Sequence, residues 1–495
     1  MLNLFVNKHR SIIEWLFVGV VFGLLTVPVW LKVDYLPIRL WDESQNAINA
    51  FEMEETHNWL VRTENYVPDT FDCKPPLLIW FQVVAIKTFG ANELAIRLPS
   101  VIFALAALSL LFALVYKMTD KKWTALIAVL ITVTSESFYG EHAVRFGEHE
   151  PLLILLILGF LFFLYRFSVS TYIKDIYLMG LFIVLGVLAK SIAILMILPG
   201  ALVYLAYCKR LKYLFQTKHL YIATLLSIGT IGTYYAARTY LYQPDYLYHV
   251  WYGELFPRFT NSSETHHFRY ISFWFYFELM YKEKFILWSL IALLAISVPL
   301  LIRKCSREWM FWMIGSSSFL LILSAGTKHY WYIAPAIPMI AGLIAASVSM
   351  LMDKHRTTGL LAVVVIFVCG VFTYEKAYSY ALHPQEKWDE WERYGITYFL
   401  NDSTHQSNLS ANTKILLRPY NAHEAYRFYL KKLEKEKGLI IYRTTFEELQ
   451  VGDTILSHHK MVIDSLRKDY RVEVLDSSWQ YTKLSVLHEH KQVLQ

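Results

Sequence analysis

Lys74-Pro75-Pro76-Leu77-Leu78-Ile79-Trp80-Phe81-Gln82-Val83-Val84-Ala85-Ile86-Lys87-Thr88-Phe89 is apolar enough to be mistaken for a membrane span. It opens on two prolines, carries Gln82 in its middle and falls short of the roughly 20 helical residues a bilayer core requires. Counting it as a span inverts everything that follows. Left uncounted, it places Lys8, Arg10, Lys117, Lys121, Lys122, Lys174, Lys209, Arg210, Lys212, Lys218, Arg303, Lys304, Arg307, Lys354 and Arg356 on one face. Basic loops gathered on one side mark the cytoplasmic face. Residues 75–89 therefore read as an interfacial or re-entrant helix.

Outward from there, apolar runs lie near 12–31, 97–116, 123–139, 151–167, 176–189, 191–207, 219–241, 284–302, 309–326, 330–351 and 357–376. Two of them, 123–139 and 176–189, are long enough to cross only if they borrow flanking residues. The first run has no small-residue cleavage site after it, so it is expected to stay as a span rather than be removed as a signal peptide. This threading predicts an α-helical polytopic membrane protein of about 11–13 transmembrane helices, its amino terminus cytoplasmic. Everything after about residue 377 then lies outside.

Composition agrees. The chain has 495 residues, 55% hydrophobic and 16% aromatic, and only 18% charged, where a soluble chain carries about 25%. The net charge of +6 sits in the basic loops and argues for membrane orientation, not nucleic-acid binding. Cys73, Cys208, Cys305 and Cys369 are too far apart for metal-type spacing or a disulfide framework.

The remaining loops share the opposite face: 32–96, 140–150, a turn at Lys190-Ser191, 242–283 and a turn around Lys328. The first contains an amphipathic stretch near 44–60, and the fourth is rich in Tyr, Trp, His and Phe. From 384 onward the pattern changes to polar helical stretches and short strand-like runs at 414–417, 439–442, 454–456 and 471–475. That is a small α/β domain. The expected division is a transmembrane domain over 1–380 and a soluble domain over 381–495.

Ionisable groups next to a bilayer are costly and mark function. Asp42 and Glu43 are adjacent, so only one can face a given site; a carboxylate there serves as a general base or as a helix cap. Lys74 precedes two prolines that start a helix, which suits phosphate binding or simple snorkelling to the interface. His142, Arg145, Glu148, His149 and Glu150 crowd the loop before Pro151. There Arg145 suits a phosphate, and Glu150 suits a sugar hydroxyl or a metal. His142 and His149, seven apart, could share one helical face. Lys190, Arg258, His266, His267, Arg269 and Lys328 add cations to a face that the positive-inside rule should empty. A phosphate-bearing ligand accounts for them together.

The order of Asp42-Glu43, Lys74-Pro75-Pro76-Leu77, Arg97-Leu98-Pro99-Ser100, His142…Arg145…Glu150, Ala189-Lys190-Ser191 and Lys328…Tyr332…Pro335 resembles the polyprenyl-phosphate-sugar glycosyltransferases of the C-type membrane fold. Similarity is greatest to the bacterial lipid A 4-amino-4-deoxy-L-arabinose transferases, with protein O-mannosyltransferases as cousins, and it covers about residues 10–350. The resemblance implies a sugar carried on undecaprenyl phosphate, transferred at the periplasmic face of the inner membrane to a lipid, glycan or protein acceptor. It implies Asp42 as catalytic carboxylate and Lys74 as the donor-phosphate ligand, helped by Arg258 and Tyr332. Glu150 stands where relatives often have aspartate. A divalent metal held with help from His266 or His267 is a further implication, and a monomer is expected. A lipid-linked-saccharide transporter would instead place its charges at mid-membrane in repeated halves; here they gather at one interface.

Overall fold

The computed structural model describes residues 2–39, 41–70, 72–256, 273–281, 286–326, 328–383, 396–401, 409, 413–416, 425–457, 460–477 and 482–489. In chain order the helices begin with α1 (Leu2–Trp30), α2 (Asp42–Thr56), α3 (Leu77–Phe89), α4 (Glu93–Thr119), α5 (Lys122–Val133) and α6 (Glu136–Tyr139). Next come α7 (Glu150–Ser170), α8 (Ile173–Lys190), α9 (Leu198–Tyr207), α10 (Leu211–Gln216), α11 (Lys218–Leu241) and α12 (Tyr246–Tyr248). The last of the helical bundle are α13 (Phe275–Tyr281), α14 (Ile286–Ile302), α15 (Arg307–Ala325), α16 (Ala336–Lys354) and α17 (Arg356–Leu382).

Among the described residues eight helical segments are long and apolar enough to cross a membrane, one of them the 35-residue stretch Ile173–Tyr207. That stretch is two passes. Ser191 takes the left-handed φ of 50°, and Ile194 folds back onto Gly186, whose missing Cβ would lie 2.5 Å from it. Arg210, past the end of α9, then returns to the Ser168 carbonyl at the end of α7. With the shorter apolar helices α5 and α14, eleven passes result. The chain is a multi-pass membrane protein.

α3 does not cross. It is 13 residues long, packs against α2 and α4, and buries Gln82 so that its amide donates to the Ile96 carbonyl at 3.0 Å. The run expected at 123–139 stops at Val133; Ser135 breaks the helix, and residues 140–149 form turns. His142 takes φ 55°, so the shared helical face expected for His142 and His149 does not exist.

α16 is the bundle's axis: the whole apolar window of Tyr330–Lys354 is buried, while α1, α11 and α17 are mostly exposed along their apolar lengths. A helix apolar all round with every side covered is a core helix, whereas the others face lipid. Close approach requires Gly342, where a Cβ would meet the Trp312 ring at 2.4 Å.

The bundle's two ends differ. One gathers Lys122 with Glu14 and Lys121 with Asp353, Arg166 with Asp175, and Arg307 with the Ser168 carbonyl. These are the basic loops of the sequence. The other end carries α2, α3 and the loops 57–76, 140–149 and 190–191.

The C-terminal module is a five-stranded sheet in the order β4-β3-β5-β7-β6. Its strands are β3 (Thr413–Leu416), β4 (Tyr442–Thr444), β5 (Thr454–Ser457), β6 (Tyr470–Ser477) and β7 (Thr482–Glu489), with β1 (Thr63–Glu64) and β2 (Val67–Pro68) forming a separate hairpin in the first loop. β3 runs parallel to β4 and β5, while β7 is antiparallel to β5 and β6. The strand expected at 439–442 begins only at Tyr442, and β7, absent from the expectation, buries Leu484 and Val486 on one face of an alternating run. α18 (Ala425–Lys437) lies across α2. Phe428, Tyr429 and Leu433 share one apolar cluster with Ile48, Phe51 and Val83 of α2 and α3, so this module is seated on the first loop rather than standing off as an appendage.

Candidate active site

Glu43 and Arg97 make the frame. Arg97 is buried in α4 and grips Glu43 with both prongs, Nε to Oε1 at 2.7 Å and Nη2 to Oε2 at 2.9 Å. Its remaining N–H groups donate to the carbonyls of Val33, Leu36 and Pro37. Glu43 also accepts from the backbone N–H of Arg39 and Gly147. Burial opposes its ionisation, but Arg97 and the two amides outweigh burial and hold the carboxyl below its ordinary range. With its oxygens so engaged, Glu43 is a structural clamp. The catalytic role expected for it is corrected accordingly.

The clamp fixes the turn before α2. Trp41 occupies the N-cap position with φ 62° and ψ −122° and makes no capping bond. Such backbone costs on the order of 1–3 kcal/mol and persists where surrounding contacts over-determine it. The result presents Asp42, the first helical residue, half-buried beside His142 and Glu148 rather than as a cap.

Asp42, His142 and Glu148 each bring one ligand-type atom within 4.8 Å of the others. His142 Nδ1 lies 3.0 Å from Glu148 Oε1, and its ring stacks on Trp331 at 4.2 Å, with His329 on Trp331 at 4.6 Å. Burial works against a charged imidazole here, but the Glu148 hydrogen bond and charge, with Asp42 and Glu150, push His142 up to about 9. Burial and the Asp42 charge push Glu148 up to about 7, with His142 pulling the other way. The pair therefore holds a proton near neutrality. Two carboxylates and an imidazole suit a divalent cation in type, yet a ligating histidine must be neutral. A cation bound there would displace the proton that His142 shares with Glu148, and no step is routed through one.

Deeper lies a cationic ring. Lys74 Nζ pairs with Asp72 at 3.0 Å, and Arg62 joins the same carboxylate at 2.9 Å. Burial of Asp72 is overcome by those two cations, which keep it far below the usual carboxylate range. Lys190 pairs with Glu150 and lies 4.9 Å from the centre of the Tyr332 ring. His149 is 1% exposed, and neither of its ring nitrogens has a hydrogen-bond partner. Burial, then the charges of Lys74 and Arg62, keep it neutral.

Two of the expected phosphate ligands are engaged with backbone carbonyls in the structure. Arg145 spends its guanidinium on the carbonyls of Pro28 and Leu31, at the end of α1. Lys328 donates to the carbonyls of Ser324 and Gly326, closing the end of α15. Both satisfy orphaned helix-end carbonyls, a need that a charge in sequence does not reveal. Arg258, His266 and His267 lie outside the described residues. Asp72, Arg62 and Trp331 were given no role from sequence, and Arg97 entered only through the Arg97-Leu98-Pro99-Ser100 motif. Asp72 two residues before Lys74 is a local signal for the first; the Arg97–Glu43 pair spans 54 residues and has none.

An apolar cavity of about 600 Å³ lies between α7, α8, α9 and α11, lined among others by Met179, Leu202, Tyr235, Val250 and Leu255. Val250 belongs to one small cluster with Cys73 and Tyr246, against which Tyr235 and Leu255 pack. These wall residues of the cavity thus pack in the cluster of Cys73, next to Lys74, and Ser191, next to Lys190, lines the cavity itself.

The architecture is the C-type glycosyltransferase fold. Over 94% of this chain and 97% of the other, it superimposes on the crystal structure of ArnT from Cupriavidus metallidurans bound to undecaprenyl phosphate, with a TM-score of 0.68 at 13% identity. An oligosaccharyltransferase from Archaeoglobus fulgidus matches at a TM-score of 0.51 and 12% identity, over 88% of this chain and 65% of that one.

In sequence, the family Dolichyl-phosphate-mannose-protein mannosyltransferase matches residues 73–235. The chain is 26% identical over 337 residues to an undecaprenyl phosphate-alpha-4-amino-4-deoxy-L-arabinose arabinosyl transferase of Pectobacterium carotovorum, covering 64% of this chain and 56% of that protein. A protein of the same description from Edwardsiella ictaluri is 26% identical over 369 residues, 69% of this chain and 63% of the relative. The chain thus resembles polyprenyl-phosphate-sugar transferases, while spanning little more than half the length of the first of these relatives.

Proposed function

We propose that this chain is an inverting glycosyltransferase that moves a sugar from a polyprenyl phosphate to an acceptor hydroxyl at the extracytoplasmic face of the bacterial inner membrane. One observation carries the reading: the half-buried Asp42 stands at the same loop end as the Lys74–Arg62–Lys190 ring, where an apolar cavity ends. That is what a lipid with a charged head and a reactive sugar requires. The isoprenoid chain lies in the cavity, and the phosphate meets Lys74.

The acceptor oxygen gives its proton to Asp42 and forms the new bond to the anomeric carbon. The bond from that carbon to the phosphate oxygen breaks, and its electron pair leaves with the phosphate. Lys74 and Lys190 stabilise the charge that develops there, in a setting with little screening. Asp72 and Glu150 hold these ammonium groups in place. A single displacement inverts the anomeric centre.

Orientation follows from the basic end facing the cytoplasm, which puts the amino terminus inside and the C-terminal module outside. Lipid A is the acceptor class favoured by the arabinosyl transferase relatives. Mass spectrometry of lipid A and of glycoproteins from cells with and without the chain tests this. A sugar mass lost from lipid A supports the reading, loss from protein serine or threonine moves the acceptor to protein, and no change in either class removes the proposal.

A further inference from the structure

Three arginines are under 2% exposed among the described residues: Arg62, Arg97 and Arg238. Arg62 has Asp72 and Arg97 has Glu43. Arg238, in the last turn of α11, pairs with no carboxylate among the described residues. Its Nη1 reaches Tyr234 Oη at 3.4 Å, and its guanidinium lies over the Tyr246 ring at 4.0 Å. Nε and Nη2 are buried without a hydrogen-bond partner. Those two nitrogens form one edge of the guanidinium plane, the same edge Arg97 uses to hold both oxygens of Glu43. A buried, charged, two-pronged donor left empty is strongly unfavourable unless an anion completes it.

Its neighbourhood says which anion. Tyr246, beneath the guanidinium, donates to the Cys73 carbonyl at 2.9 Å, and Lys74 is the next residue. Tyr246 also stacks on Tyr235, a wall of the apolar cavity. In the Lys74 ring, Lys74 and Arg62 share Asp72, and Lys190 pairs with Glu150. A phosphate monoester leaving the sugar carries about −1.5 to −2. Arg238 brings a further positive charge.

Resting on the lipid-phosphate reading above, we propose that the Nε/Nη2 edge of Arg238 binds the phosphate of the lipid carrier, retaining the dianionic carrier formed when the sugar leaves. Arg238 is then a second phosphate fork, linked through Tyr246 to the residue before Lys74.

The test uses the full chain in nanodiscs, with binding followed by native mass spectrometry and stability by thermal unfolding. The probes are undecaprenyl phosphate, undecaprenol and inorganic phosphate. Arg238→Met is expected to bind undecaprenyl phosphate about tenfold more weakly or worse, with undecaprenol binding unchanged. Its ligand-free Tm is expected to equal or exceed wild type, because an unpaired buried charge is gone, and undecaprenyl phosphate no longer raises it. Arg238→Lys, which keeps the charge without the fork, is expected to fall between the two.

Unchanged undecaprenyl phosphate affinity in both variants, with affinity lost in Lys74→Ala, overturns the fork and leaves the glycosyltransferase reading standing. A lowered Tm in Arg238→Met with unchanged affinity assigns Arg238 a packing role and likewise overturns it. Wild type that does not prefer undecaprenyl phosphate to undecaprenol sinks both. Should inorganic phosphate alone raise Tm through Arg238 as much as the lipid does, the fork stands but the carrier lipid is not its ligand.

Discussion

The bundle's two ends hold the same kinds of ion pair in opposite surroundings. At the basic end, Lys121–Asp353 and Lys122–Glu14 join side chains that are 32% and 69%, then 16% and 53% exposed, with Arg166–Asp175 the exception in burying its carboxylate. At the pocket end, Arg97–Glu43, Arg62–Asp72 and Lys190–Glu150 lie between 0% and 9% exposed. Water screens the first set, and each pair contributes little. Desolvation penalises the second set heavily, and such charges are stable only when paired in good geometry. A fold that needed only stability would bury hydrocarbon there instead. The buried set is where the proposed chemistry is placed, and the exposed set belongs to the end that the proposed orientation puts in the cytoplasm.

Within the pocket end, Asp42→Asn separates chemistry from framework. Turnover is expected to fall about 10²–10⁴-fold, measured as sugar released from the lipid donor, with Tm unchanged. Retained turnover would place the base elsewhere.

Removing one partner of the frame should cost stability. Arg97→Ala is expected to lower unfolding free energy by about 3–5 kcal/mol by stranding Glu43, against under about 1 kcal/mol for Lys122→Ala at the basic end. Equal losses in thermal or denaturant unfolding would erase the distinction between the ends.

Gly147 is the point where the second outer loop touches the first. A Cβ there meets Ile96 at 2.6 Å, so Gly147→Ala should cost about 1–3 kcal/mol through overpacking. An unchanged melting curve would mean the loop relaxes freely.

Acidity gives a gentler probe. His142 is raised from 6.5 to about 9, so its stabilising contribution is complete below pH 6.5 and lost as pH climbs through 9. Glu148, raised from 4.5 to about 7, also favours the fold only while protonated. Both signs agree: Tm falls as pH rises across this range, and His142→Gln removes the part of the slope between 6.5 and 9. A slope that survives that substitution assigns it to other groups.

Smallest of all is the seat of the C-terminal module. Lys435 pairs with Glu54 while 43% exposed, so Lys435→Ala should shift unfolding by under about 1 kcal/mol.

Much of this was legible in the residues. Hydrophobic run length and the bias of Lys and Arg gave the passes, and Gln82 with two prolines kept α3 out of the count. Asp42 and Lys74 stood out because lone charges beside apolar runs are rare. Partnership was not legible. Asp42 and Glu43 look alike in sequence, and only Arg97, 54 residues away from Glu43, makes one a clamp and leaves the other beside His142 and Glu148. Arg145 and Lys328 looked like phosphate ligands because a carbonyl's need for a donor leaves no mark on composition. Arg238 was hidden for the opposite reason, inside an apolar run where one charge near a helix end reads as snorkelling.

The central claim is that the end with buried charges opens outside the cell. Cysteines placed at Trp41 and Tyr330, 68% and 43% exposed at that end, and at Trp123, 59% exposed at the basic end, report this directly once the exposed native Cys305 is replaced by serine. With a membrane-impermeant maleimide on intact spheroplasts, the positions at 41 and 330 should label at once and that at 123 only after permeabilisation. Labelling at 123 in sealed cells, with 41 and 330 protected, would put the pocket in the cytoplasm and contradict the account.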